Sequence, residues 1–261
     1  MTTPRTLDLS SFKLHIIPAL SDNYTYLLER HGHALAVDPS DHRPLLDQLS
    51  RHHLDLTGIL ITHGHADHIA GCPPLAKHFQ CAVYGPADAD IPALDHPVND
   101  GQHITWQDLS MTVLTTPGHS RHDICWHLPQ EQLLFTGDTL FAGGCGRVFS
   151  GQYSRMWQSL ERLAALPPQT RICCGHEYTL DNLTFAATID PDNAELRQRI
   201  EETKRLMKGK LPTVPSLLRI ELQTNPFLRC NQTAIKAALK LEKDTPPEMV
   251  FTALRQKKNH F

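Results

Sequence analysis

Thr62-His63-Gly64-His65-Ala66-Asp67-His68 follows an apolar run, Gly58-Ile59-Leu60-Ile61, that reads as a buried strand. In an extended chain, residues i and i+2 point the same way, so His63 and His65 can share one metal ion. Asp67 and His68 come next, where the chain turns into a helix, and can face a second ion a few ångströms away. Gly64 and Ala66 are small, which lets the backbone bend around the ions. Imidazole and carboxylate together suit divalent transition metals, and four such groups in one short stretch are hard to explain by packing. The alternative is a polar surface loop.

Three later segments supply what a two-metal site would still lack. Thr116-Pro117-Gly118-His119-Ser120 sets a histidine in a tight turn after a strand, Phe135-Thr136-Gly137-Asp138-Thr139 ends an apolar strand on an aspartate, and Cys174-Gly175-His176-Glu177 ends another on a histidine. Singly, each reads as a cap or a solvated turn residue. Together, His119 can complete a first site with His63 and His65, and His176 a second with Asp67 and His68. Asp138 has two oxygens with which to bridge. Two ions ~3.5–4 Å apart can share a water and lower its pKa toward 7, making the bridging hydroxide the expected nucleophile. Asp67 is expected to help orient it. The sequence contains no G-x-S-x-G elbow that would point to a serine nucleophile.

The rest of the chain fits around these strand ends. Short apolar strands are expected over residues 12–17, 24–28, 34–37, 58–61, 82–84, 111–114, 124–128, 133–136 and 171–174. Helices are expected over 44–51, from Asp67 or just after with an interruption at Pro73-Pro74, and over 153–166, where Met156, Leu160 and Leu163 share a face. After about residue 179, helices over 180–189, 194–207, 234–241 and 247–257 replace the strands. Residues 1–178 are therefore expected to form an α/β catalytic domain, and residues 179–261 a smaller all-helical domain. Of the 17 histidines, His52, His53 and His78 are expected on helix surfaces. A net charge of −3 gives no basic surplus for nucleic acid, and no apolar run approaches the ~18 residues that span a membrane. Residues 1–10 are polar and lack an apolar signal core. Seven cysteines without a CxxC pair argue against a disulfide framework or zinc ribbon, so a cytoplasmic protein is expected. A monomer is the expectation for oligomeric state.

The ordered set THGHADH, TPGHS, FTGDTLF and CGHEY resembles the metallo-β-lactamase superfamily, whose fold is a four-layer αβ/βα sandwich with a binuclear site at one edge. Within it the chain is most similar to the glyoxalase II (hydroxyacylglutathione hydrolase) family. The similarity runs through Asp22-Asn23-Tyr24-Thr25-Tyr26-Leu27, Gly144-Cys145-Gly146-Arg147, Gly175-His176-Glu177-Tyr178-Thr179, Thr224-Asn225-Pro226-Phe227-Leu228-Arg229 and Leu254-Arg255-Gln256-Lys257-Lys258. That resemblance implies hydrolysis of S-D-lactoylglutathione and related thioesters to glutathione and a hydroxy acid, the second step of methylglyoxal detoxification. It implies two divalent ions, with Zn²⁺ the first expectation and Fe or Mn as alternatives. It also implies that Arg255 and Lys258 hold the glycine carboxylate of glutathione, with Arg147 and Tyr178 lining the same pocket. An ordinary basic helix end is the alternative for Arg255 and Lys258.

Two departures from the family pattern stand out. Gly64 replaces a histidine that is not a ligand there, so the site should survive. Arg147-Val148-Phe149 replaces Lys-Phe-Tyr, so Phe149 lacks a hydroxyl that could bond substrate. The rival readings are another enzyme of the same fold (a persulfide dioxygenase with one iron on two histidines and an aspartate, or a β-lactamase) and a non-catalytic metal-binding protein. The complete set of seven ligands disfavours the dioxygenase, and the long helical C-terminal part disfavours the β-lactamase.

Overall fold

A computed structural model describes residues 2–149 and 151–261. Its first sheet has seven strands in sequence order: β1 (Arg5–Asp8), β2 (Lys13–Ala19), β3 (Asn23–Arg30), β4 (His33–Val37), β5 (Asp55–Leu60), β6 (Ala82–Pro86) and β7 (His96–Val98). The pairs from β1 to β4 are antiparallel and those from β4 to β7 parallel. The second sheet holds β8 (His103–Trp106), β9 (Leu109–Thr115), β10 (Ile124–Leu128), β11 (Leu133–Gly137), β14 (Arg171–Cys174) and β15 (Ser216–Leu217), in the order β15-β14-β11-β10-β9-β8. Between β11 and β14 lies a small hairpin, β12 (Leu140–Phe141) with β13 (Gly144–Cys145).

Alternation along the strands produces the layers. In β3, Tyr24, Tyr26 and Leu28 enter the core between the sheets, while Leu27 enters the core on the outer face. In β4, Leu35 and Val37 face inward, and Ala34 and Ala36 outward. The inner core closes against Met111, Val113, Trp126 and Phe135 of the second sheet.

Helices α1 (His42–His52), α2 (Ala66–Ile69) and α3 (Cys72–Phe79) belong to the first sheet's outer side, where Leu45, Leu49 and Leu75 are buried. Pro73 and Pro74 start α3 instead of breaking a longer helix, because first-turn amide hydrogens have no intrahelical acceptor to lose. Helix α4 (Tyr153–Ala164) covers the second sheet through Met156, Leu160 and Leu163. His52, His53 and His78 are exposed, as expected. The result is an αβ/βα sandwich.

The C-terminal part contributes α5 (Thr179–Ile189), α6 (Ala194–Lys208), α7 (Leu218–Thr224), α8 (Thr233–Ala238) and α9 (Pro247–Asn259). Phe227, Val250, Phe251 and Leu254 share one continuous apolar cluster with Leu134, Trp157 and Leu160. This part is not wholly helical, because β15 pairs with β14 and extends the second sheet. A strand of two residues is too short to show alternation, so β15 left no trace in the pattern. Helix α7 and the strands β1, β7, β8, β12 and β13 also lay outside the expected elements, and none is longer than seven residues.

Candidate metal centre

The strands deliver their polar ends to one edge of the sandwich. His63 follows β5, Asp138 follows β11, His176 follows β14, and His119 sits in the loop joining β9 to β10. Gly175 knits the two sheets together there: its carbonyl accepts from the Tyr24 amide at 2.8 Å and its amide donates to the Gly137 carbonyl at 2.9 Å. A Cβ at position 175 would lie 2.5 Å from both Asp138 Oδ1 and His68 Cε1, so only glycine permits this approach. Gly137 adopts φ +47°, and a side chain there would run into Thr62.

All seven residues singled out from the sequence come together. His65 Nδ1 lies 3.1 Å from His63 Nε2 and 3.0 Å from His119 Nε2. On the other side, His68 Nε2 is 3.3 Å from His176 Nε2, and Asp67 Oδ2 is 3.7 Å and 3.4 Å from those two nitrogens. Asp138 stands between the groups, with Oδ1 at 3.4 Å from His68 and Oδ2 at 3.3 Å from His119 and 3.4 Å from His176. His63, His68, His119, Asp138 and His176 are buried, whereas His65 and Asp67 are partly open.

Four imidazoles have their rear nitrogens engaged, which fixes the rings. His63 Nδ1 meets the Thr62 hydroxyl (3.1 Å), His68 Nδ1 meets Asp38 (3.0 Å), His119 Nδ1 meets the Arg147 carbonyl (2.9 Å), and His176 Nδ1 meets Asp22 (2.8 Å). Asn23 donates to Asp67 Oδ2 at 3.0 Å. Sequence reading missed Asp22, Asn23 and Asp38 as supporting residues. The available signal was an aspartate just past the apolar strand β4, the same pattern that singled out Asp138.

The donor set fits divalent cations. Ligands ~2.0–2.1 Å from a tetrahedral ion stand about 3.3 Å apart, close to the spacings found here. Asp138 Oδ1 is buried and, among the described residues, has no hydrogen-bond partner, an expensive arrangement for a carboxylate that a bound cation would relieve. Burial alone would raise the Asp138 carboxyl, but His68 and then His176 outweigh it and hold the group well below the usual carboxylate range. Burial would lower His68, but Asp138 and Asp38 raise it well above an ordinary histidine. His63 is pushed well down, first by burial and then by His68. Without an ion the carboxylates are ionised and His63 is neutral, while Asp138 and its neighbours favour protons on His68 and His176 that an arriving cation would displace.

Above it opens a cavity of about 450 Å³. His65, Asp67, His119, Asp138 and His176 form its floor, and Phe141, Arg147, Phe149 and Tyr178 its walls. The Tyr178 ring stacks on His176 at 4.7 Å and 5°. Phe149 is 65% exposed and meets His119 edge-on at 5.4 Å. The Arg147 guanidinium lies 5.5 Å from the Phe149 ring.

Arg255 and Lys258 are not brought into that lining. Arg255 is buried, donating to the Cys145 carbonyl at 2.8 Å and to Asn259 at 3.1 Å, over the Phe227 ring. Lys258 pairs with Asp181 and lies over Phe185 and Phe261. The basic helix end is real, but local partners take up both side chains.

The sandwich and its His/Asp edge cluster define a metal-dependent enzyme of the metallo-β-lactamase class, and the family model described as "Metallo-beta-lactamase superfamily" matches residues 20–176. The crystal structure of BLEG-1 B3 metallo-beta-lactamase has the same fold, with a TM-score of 0.62 and 22% identity over 82% of this chain and 98% of that one. The crystal structure of TTHA1623 in a di-iron-bound form gives a TM-score of 0.59 and 25% identity over 81% of this chain and 98% of that one.

The remainder of the chain, residues 177–261, matches the model "Hydroxyacylglutathione hydrolase C-terminus". A hydroxyacylglutathione hydrolase of Aeromonas salmonicida is 45% identical over 94% of this chain and 98% of its own length. The chain belongs to the hydroxyacylglutathione hydrolase family.

Proposed function

We propose that the protein hydrolyses S-D-lactoylglutathione and related S-(2-hydroxyacyl)glutathiones to glutathione and the free hydroxy acid. The observation that carries this reading is the convergence of seven His and Asp ligand groups, with the Asp138 carboxylate between two subsets, beneath an open cavity in a chain of this family. His63, His65 and His119 would hold one divalent ion, and Asp67, His68 and His176 a second, with Asp138 shared. When bound, such a pair supplies Lewis acidity and a water of lowered pKa. Zn²⁺ suits the nitrogen-rich set best, and iron or manganese accepts it too.

The chain's own residues do the rest. Asn23 orients Asp67, and Asp67 is the carboxylate on the open side, placed to orient the attacking water. Arg147 offers a cation to a substrate carboxylate, and Tyr178, whose ring packs on His176, lines the same pocket. A thiolate leaving group, from a thiol of pKa ~8.5, departs without a strong general acid. Among the described residues, nothing in the floor offers a serine or cysteine nucleophile, and all seven thiols are buried.

One chain supplies every ligand group, so the site is complete without a second copy, and a monomer is our proposal. We place the reaction in the cytoplasm on the strength of the seven unpaired thiols. Residues 1–178 form the catalytic domain in this reading, and 179–261 the domain that completes the substrate side.

The test is S-D-lactoylglutathione turnover followed by thiol release, alongside a β-lactam and a persulfide with oxygen consumption recorded. Stoichiometric thiol and lactate with no oxygen uptake is the expected outcome. Oxygen uptake on the persulfide, or no thioester cleavage by metal-loaded protein, would reject the reading.

A further inference from the structure

Away from the catalytic edge, two histidines and a glutamate meet on the outer face of the first sheet. Along β2, Leu14 and Ile16 enter the core between the sheets, which turns His15 outward with Ile17. Along β3, Leu27 faces outward, and Glu29 follows it on the same side. Helix α1 lies over this face, and its last residue is His52. His15 Nε2 lies 2.7 Å from Glu29 Oε2, the His15 and His52 rings are 4.5 Å apart between centroids, and one ligating atom from each of the three residues falls within 4.8 Å of the others. Asn23 begins β3 beside Asp67 and Glu29 lies near the strand's other end, so this cluster stands roughly 20 Å from the metal centre.

Each member is suited to a cation. His15 is 1% exposed, and its Nδ1 lies 2.9 Å from the Thr6 hydroxyl, which fixes the ring and leaves Nε2 aimed at the carboxylate. Burial lowers the His15 pKa, so the ring is neutral near pH 7, the form that ligates. His52 is exposed, so its ring can turn toward the other two without disturbing the core. It also ends α1, where the helix dipole favours positive charge. Lys13 holds the other glutamate oxygen, with Nζ 3.0 Å from Oε1, and leaves Oε2 to the imidazoles. Its charge opposes a second cation, but its side chain is 49% exposed and water screens the repulsion. A tetrahedral ion with ligands ~2.0–2.1 Å away sets donors about 3.3 Å apart, so the His15–Glu29 contact would open slightly while His52 closes in.

We infer that His15, Glu29 and His52 form a further metal site, a surface clip for one divalent transition ion that accepts imidazole nitrogen, Zn²⁺ above all, with water completing its coordination. Mg²⁺ and Ca²⁺, which prefer oxygen donors, do not suit it. An ion there ties the end of α1 to β2 and β3. It stabilises the folded chain by mass action, because the unfolded chain does not hold the three groups together. The clip takes no part in turnover, and the inference stands apart from the function proposed above. With three protein donors and an open side, the clip exchanges its ion with buffer and loses it on dialysis.

The test is equilibrium Zn²⁺ uptake by the full chain, its catalytic centre already loaded, up to about 100 μM free ion, where sites of micromolar affinity fill. Expected is one ion more per chain in the wild type than in His52→Ala, a Tm that added Zn²⁺ raises in the wild type alone, and equal thioester turnover in both. Glu29→Gln should raise the half-saturating Zn²⁺ concentration more than about tenfold, a ligand mattering at least as much as a partner beyond the ligands. Mg²⁺ at the same concentration should leave Tm unchanged. Equal uptake by the wild type and His52→Ala, or the same Tm response in both, would overturn the clip. So would uptake that persists in His15→Gln, since exposed histidines such as His53 would then account for it. If His15→Gln fails to fold by circular dichroism, Glu29→Gln decides by the same readouts.

Discussion

The Asp38 carboxylate lies 3.0 Å from His68 Nδ1, and the same side chain accepts from the Thr62 amide at 2.8 Å and the Thr62 hydroxyl at 2.6 Å. One buried aspartate therefore sets both the ring of His68 and the start of the segment that carries His63 and His65. Asp38→Asn keeps the size and tolerates the observed φ of +48°, which asparagine adopts more readily than most residues. It loses the charge that raises His68 and supports it as a ligand. Metal affinity or turnover should fall about 10–100-fold with the far-ultraviolet spectrum unchanged. Wild-type metal affinity and turnover in Asp38→Asn would show that His68 does not depend on this partner.

Phe149 occupies the cavity wall with 65% of its surface open and has no polar atom to offer a substrate. Phe149→Tyr adds a hydroxyl at the ring tip. If that edge faces the glutathione moiety, one new hydrogen bond worth about 0.5–1.5 kcal/mol should lower KM by roughly two- to tenfold and leave kcat nearly unchanged. Steady-state kinetics on S-D-lactoylglutathione decide it, and an unchanged KM would place the thiol-bearing half of the substrate elsewhere.

Gly64 sits between two histidines of the cluster, but its missing side chain would not enter it. A Cβ there would face the Asp90 carbonyl at 3.3 Å and Ala89 at 3.7 Å. Gly64→His should therefore retain full metal content, with a small drop in Tm as the neighbouring loop gives way. Loss of a metal ion in this variant would mean that position 64 does shape the site.

Most of the cluster could be read from the sequence because its candidate ligands advertise themselves. His63, His65, Asp67 and His68 crowd into one stretch, and His119, Asp138 and His176 each follow an apolar strand. Asp38 ends an apolar strand as Asp138 does, but neither it nor Asp22 shows its role in the sequence, since a lone aspartate in a turn has many ordinary uses and only the third dimension shows which ring it touches. The local partners of Arg255 were hidden for a related reason. A basic residue on a helix end looks solvent-facing or substrate-facing, and nothing in the local pattern announces the Cys145 carbonyl 110 residues away. The long strands and helices declared themselves by periodicity. The pieces β12, β13 and β15 are two residues each, and their existence depends on partners far along the chain.

His15 gives the fold a pH dependence separate from the metal centre. Burial lowers its pKa, and hydrogen bonding to Glu29 opposes this only in part. A folded-state pKa below the unfolded value of ~6.5 means that the unfolded chain takes up the proton more readily. The stabilisation is therefore present above about pH 6.5 and is lost as pH falls through the depressed folded value. Tm measured on either side of that window should drop toward acid, and His15→Gln should flatten the slope. A slope unchanged in His15→Gln would assign the acid sensitivity to other groups.

The central claim is that two cations sharing Asp138 are required for turnover. The most direct measurement is metal bound per chain, by elemental analysis, plotted against S-D-lactoylglutathione hydrolysis as a chelated sample is titrated back with Zn²⁺, Fe²⁺ or Mn²⁺. Stripped protein should be inactive, activity should return with up to two ions per chain, and Asp138→Ala should neither hold the pair nor recover turnover. Full activity in metal-free protein, or two ions retained by Asp138→Ala, would contradict it.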